Sequence, residues 1–236
     1  PFFLYLAFPS PHLSLQVPDA ALKEYAGSFD DQPYRGEKGY AANRYPRATY
    51  AAMITYMDKQ IGLLLEKLRS LHLDKNTLIF FSSDNGTTFD VGGVDADFFN
   101  SVAGLRGRKQ DLYEGGIREP FIAWWPGRIP AGKTSALVSA QYDLLATLAE
   151  LTRQQPPPTD GISFLPTLLG KPGQQLHDWL YFEFPEKSGQ VAIRMGKWKG
   201  VKSNMKKDPH SAWEIYDLES DEAESINLEA VHPELS

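Results

Sequence analysis

At 236 residues the chain has room for one large domain or a domain and a half, and at 42% hydrophobic and 12% aromatic it can bury a sizeable core. A formal net charge of −6, with acids and bases interspersed and no basic block, argues against a nucleic-acid-binding surface. The absence of cysteine removes disulfides, thiolate metal sites and cysteine nucleophiles from the chain, and no apolar run is long enough to span a bilayer.

The opening "PFFLYLAF" lacks the basic segment and cleavage site of a signal peptide, so residues 2–8 read as a buried strand entered in mid-fold. The expectation is that the chain is the C-terminal part of a longer protein. "PSPHLSLQVPD" is a proline-punctuated loop, and the polar residues 19–44 read as loop and short helix. A helix is predicted to start near Pro46, a residue suited to a first helical position. Met57, Ile61, Leu64, Leu68 and Leu71 make its apolar stripe, with Asp58, Lys59, Glu66 and Lys67 opposite. It leads into an apolar run at 77–82, "TLIFFS", predicted as a second buried strand. Strand, long crossover and strand match the logic of a parallel or mixed sheet.

Residues 87–107 form a long glycine-containing loop, and "PFIAWWPG" gives another buried strand. A helix is expected at 141–151, with Leu144, Leu145, Leu148 and Leu151 facing inward and Asp143 near its start. After "TRQQPPPTDG", the segment "ISFLPTLLG" reads as a short helical turn. From Asp178 onward, "WLYFEF", "QVAIRMGKWKGVK" and "WEIYDL" alternate as antiparallel strands, followed by an acidic, partly helical end. The predicted fold is α/β: a mixed, largely parallel sheet flanked by helices over 1–173, then a small antiparallel subdomain over 174–236.

The chemistry concentrates where the run at 77–82 ends in Ser-Asp-Asn-Gly. Beyond the carboxyl end of a strand, Asp84 and Asn85 offer two hard oxygens that suit Ca²⁺ or Mg²⁺; alternatively they cap their own turn. His12, after the first strand, and Lys109, in "LRGRKQDLYEGGIREP", complete a candidate set. A cation for non-bridging oxygens and a general acid for the leaving oxygen are what hydrolysis of an oxyanion ester requires. The ordinary alternatives are a His12 bonded to a backbone carbonyl and a Lys109 in a solvated charged loop. Glu114 and Arg118 are expected to pair across the Gly115-Gly116 turn. Asp95 and Asp97 hint at a second cation site or are simply solvated, and the glycosylation pattern Asn85-Gly86-Thr87 is read as coincidence.

In this order, "PHLSLQVP", "FFSSDNG", "GLRGRKQDLYEGGIREPFIAWWPG" and "WEIYDLESDEAESINL" resemble successive blocks of the sulfatases, the arylsulfatase branch of the alkaline-phosphatase superfamily. The resemblance runs over nearly the whole chain. It implies that Asp84 and Asn85 are metal ligands, usually to calcium, that Lys109 contacts the substrate sulfate, and that His12 faces the sulfate and its leaving oxygen. It implies an extracytoplasmic location, periplasmic or secreted. Two family features are absent. The Cys/Ser-x-Pro-x-Arg motif that yields formylglycine is not found; the nearest string, "DQPYR" at 31–35, begins with Asp, which cannot become an aldehyde. The paired aspartates that open the family's catalytic domain are missing too, since Asp30 and Asp31 follow the His12 block.

Calcium takes roughly six to eight oxygens, of which Asp84 and Asn85 supply a minority. The expectation is therefore that the formylglycine and remaining ligands lie outside this chain, in an N-terminal part of the same enzyme. The substrate would be a small-molecule or glycan sulfate ester. A phosphatase, phosphodiesterase or phosphonate hydrolase of the same superfamily, and a non-catalytic sulfatase-like binding domain, are the alternatives.

Overall fold

The computed structural model describes residues 1–236, which fall into two compact units: Pro1–Leu73 with Thr87–Ala103, and Asp74–Gly86 with Gly104–Ser236.

The first unit is helical. α1 is the short Asp19–Leu22 and α2 is the 25-residue Pro46–Ser70. Pro46 opens α2, and Asp31 caps it from outside, its Oδ1 accepting the Arg47 N–H at 2.6 Å. A carboxylate at this end also meets the positive pole of the helix, while Lys67 and Arg69 occupy the last turn. The predicted stripe is present, but burial is uneven. Ala48, Tyr50, Ala52 and Met53 are buried in the first half, Leu68 near the end, Met57, Ile61 and Leu64 are half-buried, and Leu71 is exposed. The core of this unit gathers Leu15, Tyr50, Met53, Val94 and Ala96, with Phe99 packed against it. Asp95 is engaged within the unit: its Oδ2 accepts Arg47 Nη2 at 2.7 Å and its Oδ1 accepts the Phe98 N–H at 3.0 Å.

Residues 2–8 correct an expectation. They form no strand and lie open, Phe3 78% and Tyr5 79% exposed. Strands exist by pairing, and the ladders of this chain use other segments.

In the second unit, β1 (Ile79–Ser82) and α3 (Glu114–Ile117) are followed by β2 (Phe121–Trp124). β1 pairs with β2 in antiparallel register, Ile79 opposite Trp124 and Ser82 opposite Phe121. The largely parallel sheet expected from the sequence is therefore not what these strands make, and both are half-buried or exposed rather than buried. Pairing direction is a long-range property that an apolar run does not encode. α4 (Asp143–Thr152) lies where expected, but Leu145 is 46% exposed and the buried ridge includes Asp143, Thr147 and Ala149. The Asp143 carboxylate is fully engaged: it accepts the N–H of Ala140 and of Ile162, both at 2.8 Å, and His177 Nε2 at 2.9 Å. The predicted helical turn is α5 (Leu165–Leu168).

The C-terminal strands are found as expected: β3 (Leu180–Phe184), β4 (Gln190–Met195), β5 (Trp198–Lys202) and β6 (Glu214–Asp217) form an antiparallel meander in chain order. Ala192, Val201, Tyr216 and Leu218 pack with Leu112 beneath it. This sheet lies wholly within the second unit.

Candidate functional site

The end of β1 is fixed by backbone geometry. Ser82 Oγ donates to Pro120 O at 2.9 Å, and the Gly86 N–H donates to Gly116 O at 3.0 Å. Asp84 lies two residues past the end of β1, and its charge is felt by Glu119, two residues before the start of β2. Asn85 is tethered by its own amide, Nδ2 donating to Gly86 O at 3.0 Å, which keeps the amide oxygen as its acceptor. A Cβ on Gly86 would lie 2.0 Å from Gly115 O, so only glycine lets the strand end sit this close to α3.

Glu119 was not among the residues singled out from the sequence, and the structure makes it conspicuous. Its Oε1 is buried without a hydrogen-bond donor. Burial, and then the charge of Asp84, push its carboxyl up to about 7. Like charges near each other disfavour the ionised form. Two carboxylates and an amide oxygen at one strand end, with one buried acceptor unsatisfied, fit a hard divalent cation. No three His, Asp or Glu side chains group as a complete set of ligands within the chain.

Lys109 lies half-buried in the loop 106–111. The loop closes on itself, Arg108 N–H donating to Asp111 Oδ2 at 3.0 Å and Asp111 N–H to Arg108 O at 2.8 Å. It then closes on α3: Gly115 N–H donates to Arg106 O at 2.7 Å. A Cβ on Gly115 would meet Gly107 O at 2.3 Å, and one on Gly116 would meet Asp111 O at 2.1 Å. The loop bearing Lys109 and the strand end bearing Asp84 and Asn85 thus rest on the same pair of glycines.

Glu114, which begins α3, does not pair with Arg118 as expected. Its Oε1 lies 2.8 Å from Lys199 Nζ, its Oε2 lies 3.6 Å from Arg194 Nη1, and its N–H donates to Glu224 Oε2 at 2.6 Å. Arg118 turns instead to Glu222, at 3.5 Å. A short helix start four residues from Arg118 gave no sequence sign that its acid would be claimed by a strand far along the chain.

His12 belongs to the first unit, the other three candidates to the second. It is exposed, and its Nδ1 donates to Leu13 O at 2.7 Å, which leaves Nε2 as the reactive nitrogen. The backbone contact considered for it is therefore real. A cavity of about 490 Å³ in the first unit is lined by Tyr34, Arg47, Asp90 and Asp95, and not by His12.

The sulfatase family profile matches residues 1–154, and a profile described as N-sulphoglucosamine sulphohydrolase, C-terminal, matches 108–233. Among similar proteins, N-acetylgalactosamine-6-sulfatase of Canis lupus familiaris is 32% identical over 206 residues, covering 84% of this chain and 34% of its own length. Arylsulfatase A of Homo sapiens is 32% identical over 254 residues, covering 97% of this chain and 44% of its own length. The crystal structure of Ps i-CgsB superposes with a TM-score of 0.79 at 29% identity, over 100% of this chain and 47% of that one. The chain thus spans less than half the length of these relatives. The family profile covers well over half of the chain, and the chain belongs to the sulfatase family.

Proposed function

We propose that the protein hydrolyses a sulfate ester, with this chain contributing part of the metal site and the fixed cation, and sequence upstream of Pro1 contributing the nucleophile and the remaining ligands. What supports the reading most directly is the meeting of two segments on Gly115 and Gly116: the strand end with Asp84, Asn85 and the unsatisfied Glu119, and the loop with Lys109. The share of the relatives' length that this chain covers supports the second half of the proposal.

In this reading Asp84 and Asn85 hold a divalent cation, Ca²⁺ by family precedent. When bound, such a cation supplies positive charge to the non-bridging oxygens of the sulfate, and a formylglycine upstream supplies the nucleophile. Lys109 adds a fixed ammonium to the same oxygens, strongest as negative charge grows on them. His12 Nε2 carries the proton for the departing oxygen. The substrate is a small-molecule or glycan sulfate ester; relatives named for sulfated N-acetylgalactosamine make a sugar ester the first to try. No helix is long and apolar enough to cross a membrane, and the reading carries an extracytoplasmic location with it.

Turnover of 4-nitrophenyl sulfate is the test. Residues 1–236 alone are expected to be silent, and the full-length protein active. Lys109→Ala in the full-length protein is expected to lower kcat/KM by about 10²–10³-fold, the loss typical of one oxyanion donor, at an unchanged melting temperature. Unchanged kinetics would remove Lys109 from the site, and turnover by the isolated chain would refute the division of labour.

A further inference from the structure

The residues beside Lys109 are held by a part of the molecule that sulfate chemistry does not itself call upon. Gln110 has φ +72°, a left-handed conformation that a residue with a side chain keeps only when its surroundings impose it. Its carbonyl accepts Gln190 Nε2 at 2.9 Å. Gln190 opens β4 and is 5% exposed, on the inward face that it shares with Ala192. An apolar side chain is the ordinary occupant of that position, and an amide there is stable only because its donor has found this carbonyl. One residue further, Asp111 divides its carboxylate. Oδ2 takes the Arg108 N–H, and Oδ1 lies 2.9 Å from Lys187 Nζ. Lys187 lies in the loop 185–189 that joins β3 to β4, where Lys187, Ser188 and Gly189 all have positive φ, and Gln190 is the first strand residue after it. The hairpin tip therefore grips the loop at the two residues following Lys109.

We propose that Gln190, assisted by Lys187, is a positioning residue for Lys109: the β3–β4 hairpin sets where the ammonium stands. The inference rests on the proposed contact between Lys109 and the substrate sulfate. Neither Gln190 nor Lys187 touches the sulfate; each acts through the backbone of the loop. Misplacing a charged group by about an ångström is enough to cost roughly 10²-fold in rate, so the grip matters even though it lies outside the chemistry.

The experiment uses the full-length protein with Gln190→Leu, Lys187→Met and Lys187→Arg, each alone and combined with Lys109→Ala. It reads kcat and KM for 4-nitrophenyl sulfate, inhibition by inorganic sulfate, and melting temperature. Gln190→Leu and Lys187→Met are expected to lower kcat/KM roughly 10- to 100-fold and to weaken sulfate inhibition in parallel. Both losses should vanish in the Lys109→Ala background, and Lys187→Arg should restore the wild-type values. Losses that add to that of Lys109→Ala, or a lower melting temperature at unchanged kcat/KM, would overturn the inference and leave Lys109 in the site. An inert Lys109→Ala would overturn the reading of Lys109 itself, and this inference with it. Should Gln190→Leu fail to fold, the Lys187 pair decides by the same criteria.

Discussion

The two units of the chain hold themselves together by different means. The interior of the first is apolar: Leu15, Met53, Val94 and Ala96 pack beside aromatic edges such as Phe98 on Phe99, ring centres 5.0 Å apart. Its ion pairs, such as Arg47 with Asp95, are partly open to solvent. The second buries charge. Lys199 Nζ has no exposure and stands 2.8 Å from both Glu114 Oε1 and Glu224 Oε1. Burial pushes the Glu224 carboxyl up, against the pull of Lys199. Above this triad Arg106, Tyr113, Glu214 and Tyr216 form a further polar network, and burial and Glu214 raise both phenols. Desolvating charges rarely adds net stability over a well-packed apolar core. The contrast teaches that the second unit fixes geometry at a stability cost, and the geometry it fixes is that of the Glu114-Gly115-Gly116 turn under Lys109.

The comparison breaks hardest at Lys199. Lys199→Met keeps the volume and strands two buried carboxylates, and is expected to lower the unfolding free energy by about 3–5 kcal/mol in a urea titration at neutral pH. A loss below about 1 kcal/mol would mean that water reaches the acids and that the second unit is not braced by this triad. A gentler break uses matched glycines. Gly86→Ala in the second unit drives a methyl into a backbone carbonyl and is expected to cost about 1–3 kcal/mol. In the first unit Gly62 sits inside α2 with open space around a would-be Cβ, so Gly62→Ala is expected to add about 0.5–1 kcal/mol. Equal signs in the two melting shifts would erase the distinction.

Legibility in the sequence follows the same divide. α2 was readable because a 3.6-residue period survives burial on one side, and β4 and β5 because alternation marks a half-buried meander. Residues 2–8 and the β1–β2 pair were misread because an apolar run states that a segment seeks a partner and not which one, or in which direction. Asp84, Asn85 and Lys109 were legible as motif residues, and the structure adds the glycine pair on which their segments meet. Glu119 was not legible, since its significance comes only from its burial without a donor and from the nearby charge of Asp84. Lys199 was hidden by its surroundings in "GKWKG", where a lysine reads as turn or surface; the alternation of β5 puts it on the inward face with Val201.

Glu119 gives the effect that is sharpest to interpret. Its folded carboxyl holds its proton up to about pH 7, whereas the unfolded chain releases it near the ordinary value of 4.5. Across that window the folded state binds more protons than the unfolded state, so stability must fall as pH rises. The contribution is fully present below pH 4.5 and lost once pH passes about 7. Glu119→Gln mimics the protonated form at every pH and removes this slope. Denaturation of the metal-free chain at pH 5 and pH 8 is therefore expected to show the wild type losing more stability on the alkaline side than the variant does. Parallel behaviour would mean that Glu119 is ionised and solvated like any surface acid. The strand end would then carry no unmet demand for positive charge, and the second unit's claim to part of a cation site would rest on Asp84 and Asn85 alone.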